Sequence, residues 1–482
     1  MKKINKKFYI TTAIPYVNAA PHIGFALEVI QADVLARYHR LKGEDVFFLT
    51  GTDENALKNV LAAKEAGMST KELVDENSAR FKELKETLNL SWDDFIRTTE
   101  PRHFLGAQKF WLSCKKEDIY KKKYKGLYCV GCEEFKKEKE LVSGHCSEHP
   151  GLDIEIVEEE NYFFRLSAYQ NRLQNLIESG ELKIIPESRN NEVLSFIKQG
   201  LEDFSISRSK DRAHNWGIPV PGDESQIMYV WFDALTNYIT ALGYADNSEK
   251  FLNYWQNGDT TLHVIGKGIS RFHAIYWPAM LLSAGLNLPK EIFVHGYLTI
   301  DGKKISKSLG NVISPYDVVK KCGTDALRYY LLREIPSTED GDFTYEKFEQ
   351  RYNGDLAKGL GNLVSRILTL AEKLEDRAIL KTFEPKIKEA EKNVEKFIVE
   401  FKFNDALNAI WQVVALGDKY VDEKKPWTLS ADSTEFREII GSLLYLISEI
   451  GKLLYPFLPE TSEKITELVK NKKSDILFPR LN

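Results

Sequence analysis

No run of about 18 apolar residues occurs in this 482-residue chain, so a membrane-spanning helix is not expected. Nor is a secretory leader: the opening MKKINKKFYITTAIPY is basic but has no apolar stretch long enough to serve as one. Cysteine is scarce. The five present, Cys114, Cys129, Cys132, Cys146 and Cys322, are too few and too unevenly spaced for a disulfide framework, and they suit a reduced, cytoplasmic compartment. Charge of one sign is lacking too, with 66 Lys and Arg against 71 Asp and Glu and a formal charge of −5. That balance argues against a nucleic-acid coat but not against a nucleic-acid enzyme, in which local basic patches would meet the polyanion. Internal repeats and low-complexity tracts are also missing. What is there is 43% hydrophobic, enough for two or three domains.

The pattern along the chain is α/β first and α last. KFYITTA (7–13) predicts a buried strand, apolar positions 23, 27, 30, 34, 38 and 41 predict a helix ending at Gly43, and DVFFLTG predicts a second strand. Strand, loop, helix, strand opens a doubly wound, Rossmann-like nucleotide-binding domain with a parallel sheet. The stretch 115–225 reads as irregular, with lysine-rich KKKYK at 121–125 and an amphipathic helix near 167–179. The α/β pattern returns with IMYVWFDA, LHVIGK, a helix from about 270, and EIFVHGYLTI at 291–300. The expected division is a catalytic domain in two halves, 1–114 and 226–342, split by an insertion at 115–225. A helical bundle follows at 343–482, where LGNLVSRILTLAEKL and FREIIGSLLYLISEIGKLLYPFL keep a 3.6-residue period.

Two motifs suggest ATP chemistry. Pro21-His22-Ile23-Gly24 stands at a strand-to-helix turn, where free helix N-terminal amides and a positive dipole end suit phosphate. His22 would add a donor, and Gly24 would let a nucleotide approach the backbone. The second motif runs from Asp301 to Asn311, DGKKISKSLGN, on a loop after a predicted strand. Lys304 and Lys307 there would neutralise charge growing on phosphates as pyrophosphate leaves, whereas the bland alternative is a solvated basic turn.

The insertion carries a metal-ligand pattern. Cys129-x2-Cys132 is followed after thirteen residues by Cys146-x2-His149, spacing that fits a tetrahedral zinc site within 126–150. Four protein ligands would make it structural. His145 competes with His149, although the two-residue spacing favours the latter.

The two ATP motifs resemble the HIGH and KMSKS signatures of class I aminoacyl-tRNA synthetases. TTAIPYVNAAPHIG, FFLTGTDE, YVWFDALTNYITALGY, RFHAIYWPAMLLSAG and VHGYLTIDGKKISKSLGN resemble methionyl-tRNA synthetases in particular, of the bacterial type with a single zinc knuckle. The likeness runs from about residue 7 to 480. It implies attack of the methionine carboxylate on the α-phosphorus of ATP, normally with magnesium, then transfer to the 3′-terminal adenosine of tRNA(Met), initiator and elongator. Carried onto matching positions, it implies a methionine pocket of Ile14, Tyr16, Trp231, Leu235, Tyr238, Ile269 and His273, with Asp53 receiving the ammonium group. A soft thioether favours such aromatic edges, and Tyr16 or His273 would offer the sulfur a weak polar contact. Gly266 and Lys267 join His22, Gly24, Lys304 and Lys307 on the ATP side.

In the helical part, Asn362 and Arg366 fall four residues apart on one helix face, and Trp427 follows Lys425-Pro426. Unstacked bases are read by such polar and aromatic side chains, and the resemblance assigns all three to the CAU anticodon. Three places depart from the family pattern, all expected near the ATP site. Phe25 replaces the last histidine of the first signature, Asn55-Ala56 replaces His-Gly after Thr-Asp-Glu, and Gly268 replaces an acid after Gly-Lys. One lost transition-state donor costs about 10²–10³ in rate, unless groups such as Asn55 or Lys267 compensate. Phe25 and Gly268 keep open a catalytically weakened paralogue that only binds tRNA; a class I synthetase for another amino acid is the other alternative. A monomer is expected, since the chain stops soon after the bundle.

Overall fold

The computed structural model describes residues 6–131, 134–147, 151–305, 310–374, 380–471 and 473–481. They form two compact units. The first holds residues 1–21, 42–83 and 92–294, the second 22–41, 84–91 and 295–482.

The first unit is built on a six-stranded sheet. Its order is Asp94–Arg97, Asp45–Thr52, Lys7–Thr12, Thr260–Gly266, Glu291–His295, Lys183–Ile185; the first four strands pair in parallel, as do the last two. Lys7–Thr12 and Asp45–Thr52 match the two strands expected at the start of the chain, each a short apolar run of the kind that parallel sheets bury on both faces. Strand order reverses beside Lys7–Thr12, which pairs with Asp45–Thr52 on one side and Thr260–Gly266 on the other. At such a switch point, a crevice opens beyond the carboxyl ends of the strands.

The stretch read as irregular is largely an antiparallel sheet. Ile119–Cys129 pairs with Glu155–Phe164 over ten residues, and KKKYK lies inside that strand. Lys123 faces Glu160 and Lys125 faces Glu158, so cross-strand charge takes the place of the apolar alternation that a sequence scan looks for. A cavity of about 1210 Å³ opens between this sheet and the helix Glu187–Lys198. It is lined by five cations and five carboxylates, and it contains none of the residues assigned to chemistry.

The second unit is mostly helical. The helix Ile23–Leu41 appears where the stripe predicts it, but it is buried on nearly every side, including at Glu28, Gln31, Asp33 and Arg37. Glu28, Asp33 and Arg37 are paired, whereas the Gln31 side-chain oxygen has no hydrogen-bond partner. Asp33 accepts from Arg37 and Arg328 at 2.8 Å each, and from the Ser91 amide and hydroxyl at 2.7 Å each. Glu28 meets His295 at 2.9 Å. EIFVHGYLTI is two strands, broken at Gly296, where a Cβ would sit 2.0 Å from the Glu339 carbonyl oxygen. Among the described residues no strand follows Gly341–Phe343; the helices Asn362–Ala371, Glu384–Val399, Phe403–Lys424, Thr434–Leu454 and Pro459–Asn471 complete the unit. No described helix is long and apolar enough to cross a membrane.

Candidate active site

In the second unit, His22 precedes the helix start and its Nδ1 accepts the Gly24 amide at 3.0 Å. That bond leaves the proton on Nε2, and burial pushes the imidazole pKa below its ordinary value, so the ring is a neutral donor. The backbone differs from expectation. Ile23 donates to the Ile313 carbonyl at 3.1 Å, Gly24 to His22 Nδ1, and Phe25 to the His22 carbonyl at 3.0 Å, so the first helix amides are already spent. The place of the missing Gly24 Cβ is also taken, since that atom would lie 2.8 Å from His22 Cε1. Glycine here makes room for the histidine.

The second motif begins on a hairpin. Leu298–Ile300 pairs with Lys303–Lys304 through a turn in which Asp301 and Gly302 have φ of 49° and 70°, values that favour an Asp-Gly pair. Asp342 fixes this turn by accepting from Thr299 Oγ1 at 2.6 Å and the Gly302 amide at 2.8 Å. Lys304 is exposed, with its Nζ 5.9 Å from the Tyr297 ring centre. Ile305 reaches to 3.5 Å from the Gly24 Cβ position, so the start of the loop and the start of the helix come together. Lys307 lies outside the described residues.

The residues expected to form a methionine pocket all lie in the first unit, and several stand at the switch point. Ile14 and Asp53 lie just past the ends of neighbouring strands, and Tyr16 bridges to Asp53. Gly266 ends a third strand, with Lys267, Gly268 and Ile269 in the turn beyond. Leu235 and Tyr238 are buried, and Ile14, Tyr16, Trp231 and Ile269 pack on the same core. His273 Nδ1 sits 3.0 Å from the Ile269 carbonyl, which can only accept, so Nδ1 carries the proton and Nε2 accepts the Tyr238 hydroxyl at 2.7 Å. Burial lowers the His273 pKa to about 4, which keeps the ring neutral. Trp231 stacks on Phe272 at 3.8 Å and 3°, and its buried indole N–H has no hydrogen-bond partner.

Sequence reasoning missed several members of this cluster. His263 is fully buried, with its ring 4.2 Å from that of Tyr238 and its Nδ1 2.7 Å from Thr11 Oγ1. Its place on LHVIGK, three residues before Gly266, was the available signal. Phe272 was hidden among ordinary aromatics. The departures fall in both units. Asn55 and Ala56 are buried beside Asp53 in the first unit, and both Asn55 amide hydrogens are spent, on Asp233 at 2.7 Å and on the Thr98 carbonyl at 3.1 Å. Asn55 therefore does not stand in as a phosphate donor. Phe25 is buried in the second unit, whereas Gly268 is exposed.

In the insertion, Cys129 and Cys146 are both fully buried, while His145 is exposed. Cys132 and His149 lie outside the described residues. Among the described residues no three His, Cys, Asp or Glu side chains form a metal-holding group. In the helical unit, Asn362 is exposed at the first position of its helix. One turn on, the Arg366 guanidinium lies 5.5 Å from the Trp427 ring centre and donates to Asp422 at 2.8 Å, with Trp427 51% exposed.

The family model for class I tRNA synthetases (M) matches residues 8–151 and 150–368, and that for the anticodon-binding domain of tRNA ligase matches 376–480. The methionine–tRNA ligase of Brucella suis is 44% identical, covering 96% of this chain and 92% of its own length. That of Caldanaerobacter subterraneus is 44% identical over 99% and 80%. The structure of Mycobacterium tuberculosis methionyl-tRNA synthetase with methionyl-adenylate superposes with a TM-score of 0.91 at 40% identity, covering 97% of this chain and 95% of that one. The apo form of the same enzyme gives 0.84 at 35%, over 100% and 99%. A parallel sheet with its switch-point cluster, a signature histidine beside a lysine hairpin, and likeness over nearly the whole length converge: the chain belongs to the methionine–tRNA ligase family of class I aminoacyl-tRNA synthetases.

Proposed function

We propose that this chain activates L-methionine with ATP, giving methionyl-adenylate and pyrophosphate, and passes the methionyl group to the 3′-terminal adenosine of initiator and elongator tRNA(Met). The neutral pair of Tyr238 and His273 carries this reading, because it gives an aromatic slot polar edges without a charge, as a thioether requires. Asp53 receives the ammonium group, leaving the methionine carboxylate to attack the α-phosphorus. His22 Nε2–H and Lys304, with Lys307, stabilise the phosphate charge that builds in the transition state. Gly266 and Lys267 stand on the ribose-phosphate side. Magnesium would travel on the phosphate oxygens with few protein ligands and add to that neutralisation.

The burial of both described thiols fits a structural zinc held by Cys129, Cys132, Cys146 and His149, a donor set of three thiolates and one imidazole. Its bearing is on the fold of the insertion, and metal content per chain checks it. Asn362, Arg366 and Trp427 read the anticodon from the helical domain at 343–482, and the catalytic halves at 1–114 and 226–342 flank the insertion. We place the protein in the cytoplasm as a monomer.

The test is amino-acid-dependent pyrophosphate exchange by the purified protein. Methionine should support exchange far better than cysteine, leucine or isoleucine. Phe25→His should raise the rate if the lost signature donor limits it. tRNA binding without any methionyl-adenylate would favour the weakened paralogue instead.

A further inference from the structure

We infer that Asn55, Asp233 and His103 form a buried positioning set for the methionine pocket. The inference rests on the reading that Asp53 receives the substrate ammonium.

Asp233 is fully buried on the helix Val230–Leu235, between Trp231 and Leu235. Its Oδ1 accepts from His103 Nε2 at 2.6 Å and its Oδ2 from Asn55 Nδ2 at 2.7 Å. His103, itself fully buried on the helix Pro101–Ser113, is fixed at its other nitrogen by Thr240 Oγ1 at 2.8 Å, and Thr240 lies two residues past Tyr238. Asn55 lies two residues past Asp53, and its backbone N–H reaches Asp53 Oδ1 at 3.3 Å. Asn59 holds the Asp53 carbonyl at 3.0 Å.

A buried carboxylate is tolerated only where each oxygen finds a donor. One oxygen of Asp233 is claimed by the loop that carries Asp53 and the other by a separate helix. Deep burial of the Trp231 and Leu235 segment therefore requires both donors to be in place. The set thus links the ammonium acceptor to the walls of the slot and fixes the spacing that a bound methionine must match. Fixed spacing of this kind is reflected in substrate KM more than in the fold as a whole.

Asn55→Asp keeps the shape but sets a carboxylate against Asp233, and Asn55→Ala removes the donor without adding charge. In pyrophosphate exchange, each should raise KM for methionine about tenfold or more, with KM for ATP changing by less than about twofold. Asn55→His, which keeps an N–H donor at this position, should leave KM near normal. Combining Asn55→Asp with Asp233→Asn should recover part of the loss, because one donor–acceptor pair is rebuilt with its direction reversed. Should Asn55→Asp fail to fold, Asn55→Ala and Asn55→His carry the comparison. An unchanged methionine KM in folded Asn55→Ala overturns the inference, as does a parallel rise in both KM values. Asp53→Asn separates the two levels: if it leaves methionine KM unchanged, the ammonium assignment itself has failed. If it raises KM while Asn55→Ala does not, only the positioning set has failed.

Discussion

His273 shows how far a single side chain is governed by its neighbours. The Ile269 carbonyl claims one ring nitrogen and the Tyr238 hydroxyl satisfies the other, while burial lowers the pKa from an ordinary 6.5 to about 4. Between those values the unfolded chain binds a proton that the folded chain refuses. The stability this group contributes is thus fully present above pH 6.5 and is lost as pH falls toward 4. Relative to His273→Gln, the wild type should lose about 1.4 kcal/mol per pH unit in that window, read from urea midpoints at pH 7, 6 and 5. A difference between the two proteins that is flat with pH would contradict the buried neutral ring. Residue types at this site were partly legible. Asp53, Tyr238 and His273 stand in stretches whose likeness to relatives names them, but Asn55 and Asp233 meet across 178 positions and no local pattern encodes that contact.

The helix Ile23–Leu41 poses the same problem at the level of an element. Its 3.6-residue stripe gives the ends correctly, and Gly43, with φ of 79°, marks the turn that follows. The stripe does not reveal that the polar face is buried too, because its partners Ser91, His295 and Arg328 come from distant parts of the chain. Arg328 is the hub. Fully buried, it meets Asp33 at 2.8 Å and donates to the carbonyls of Phe457 at 2.7 Å and of Leu88 and Pro456 at 3.1 Å each. Burial would raise the Asp33 carboxyl, but Arg328, Arg37 and Ser91 together hold it below its ordinary value. Arg328→Met should cost about 3–5 kcal/mol by urea unfolding, since Asp33 loses its fully buried cation and three carbonyls lose a donor. A loss under about 1 kcal/mol would show that water replaces the guanidinium. KKKYK at 121–125 is the opposite case, a strand whose exposed, charge-paired face carries no apolar period to detect.

For the whole molecule, the sequence scale separates two tasks. The side chains assigned to methionine belong to the first unit and those assigned to the anticodon to the second. Trp427→Ala should therefore weaken tRNA charging by about tenfold or more while pyrophosphate exchange stays within about twofold, since removal of one base-stacking ring is worth about 1–3 kcal/mol. Equal loss of both activities would remove Trp427 from the anticodon surface. The second unit is also discontinuous: residues 22–41 and 84–91 belong to it, yet the remainder starts at 295. On a translating ribosome that gap lasts about 10–40 s. For that interval Asp33 has only Arg37 and Ser91, and Glu28 waits without His295. The early helix thus stays only part-partnered while the first unit emerges, and slow codons between 92 and 294 would lengthen its wait.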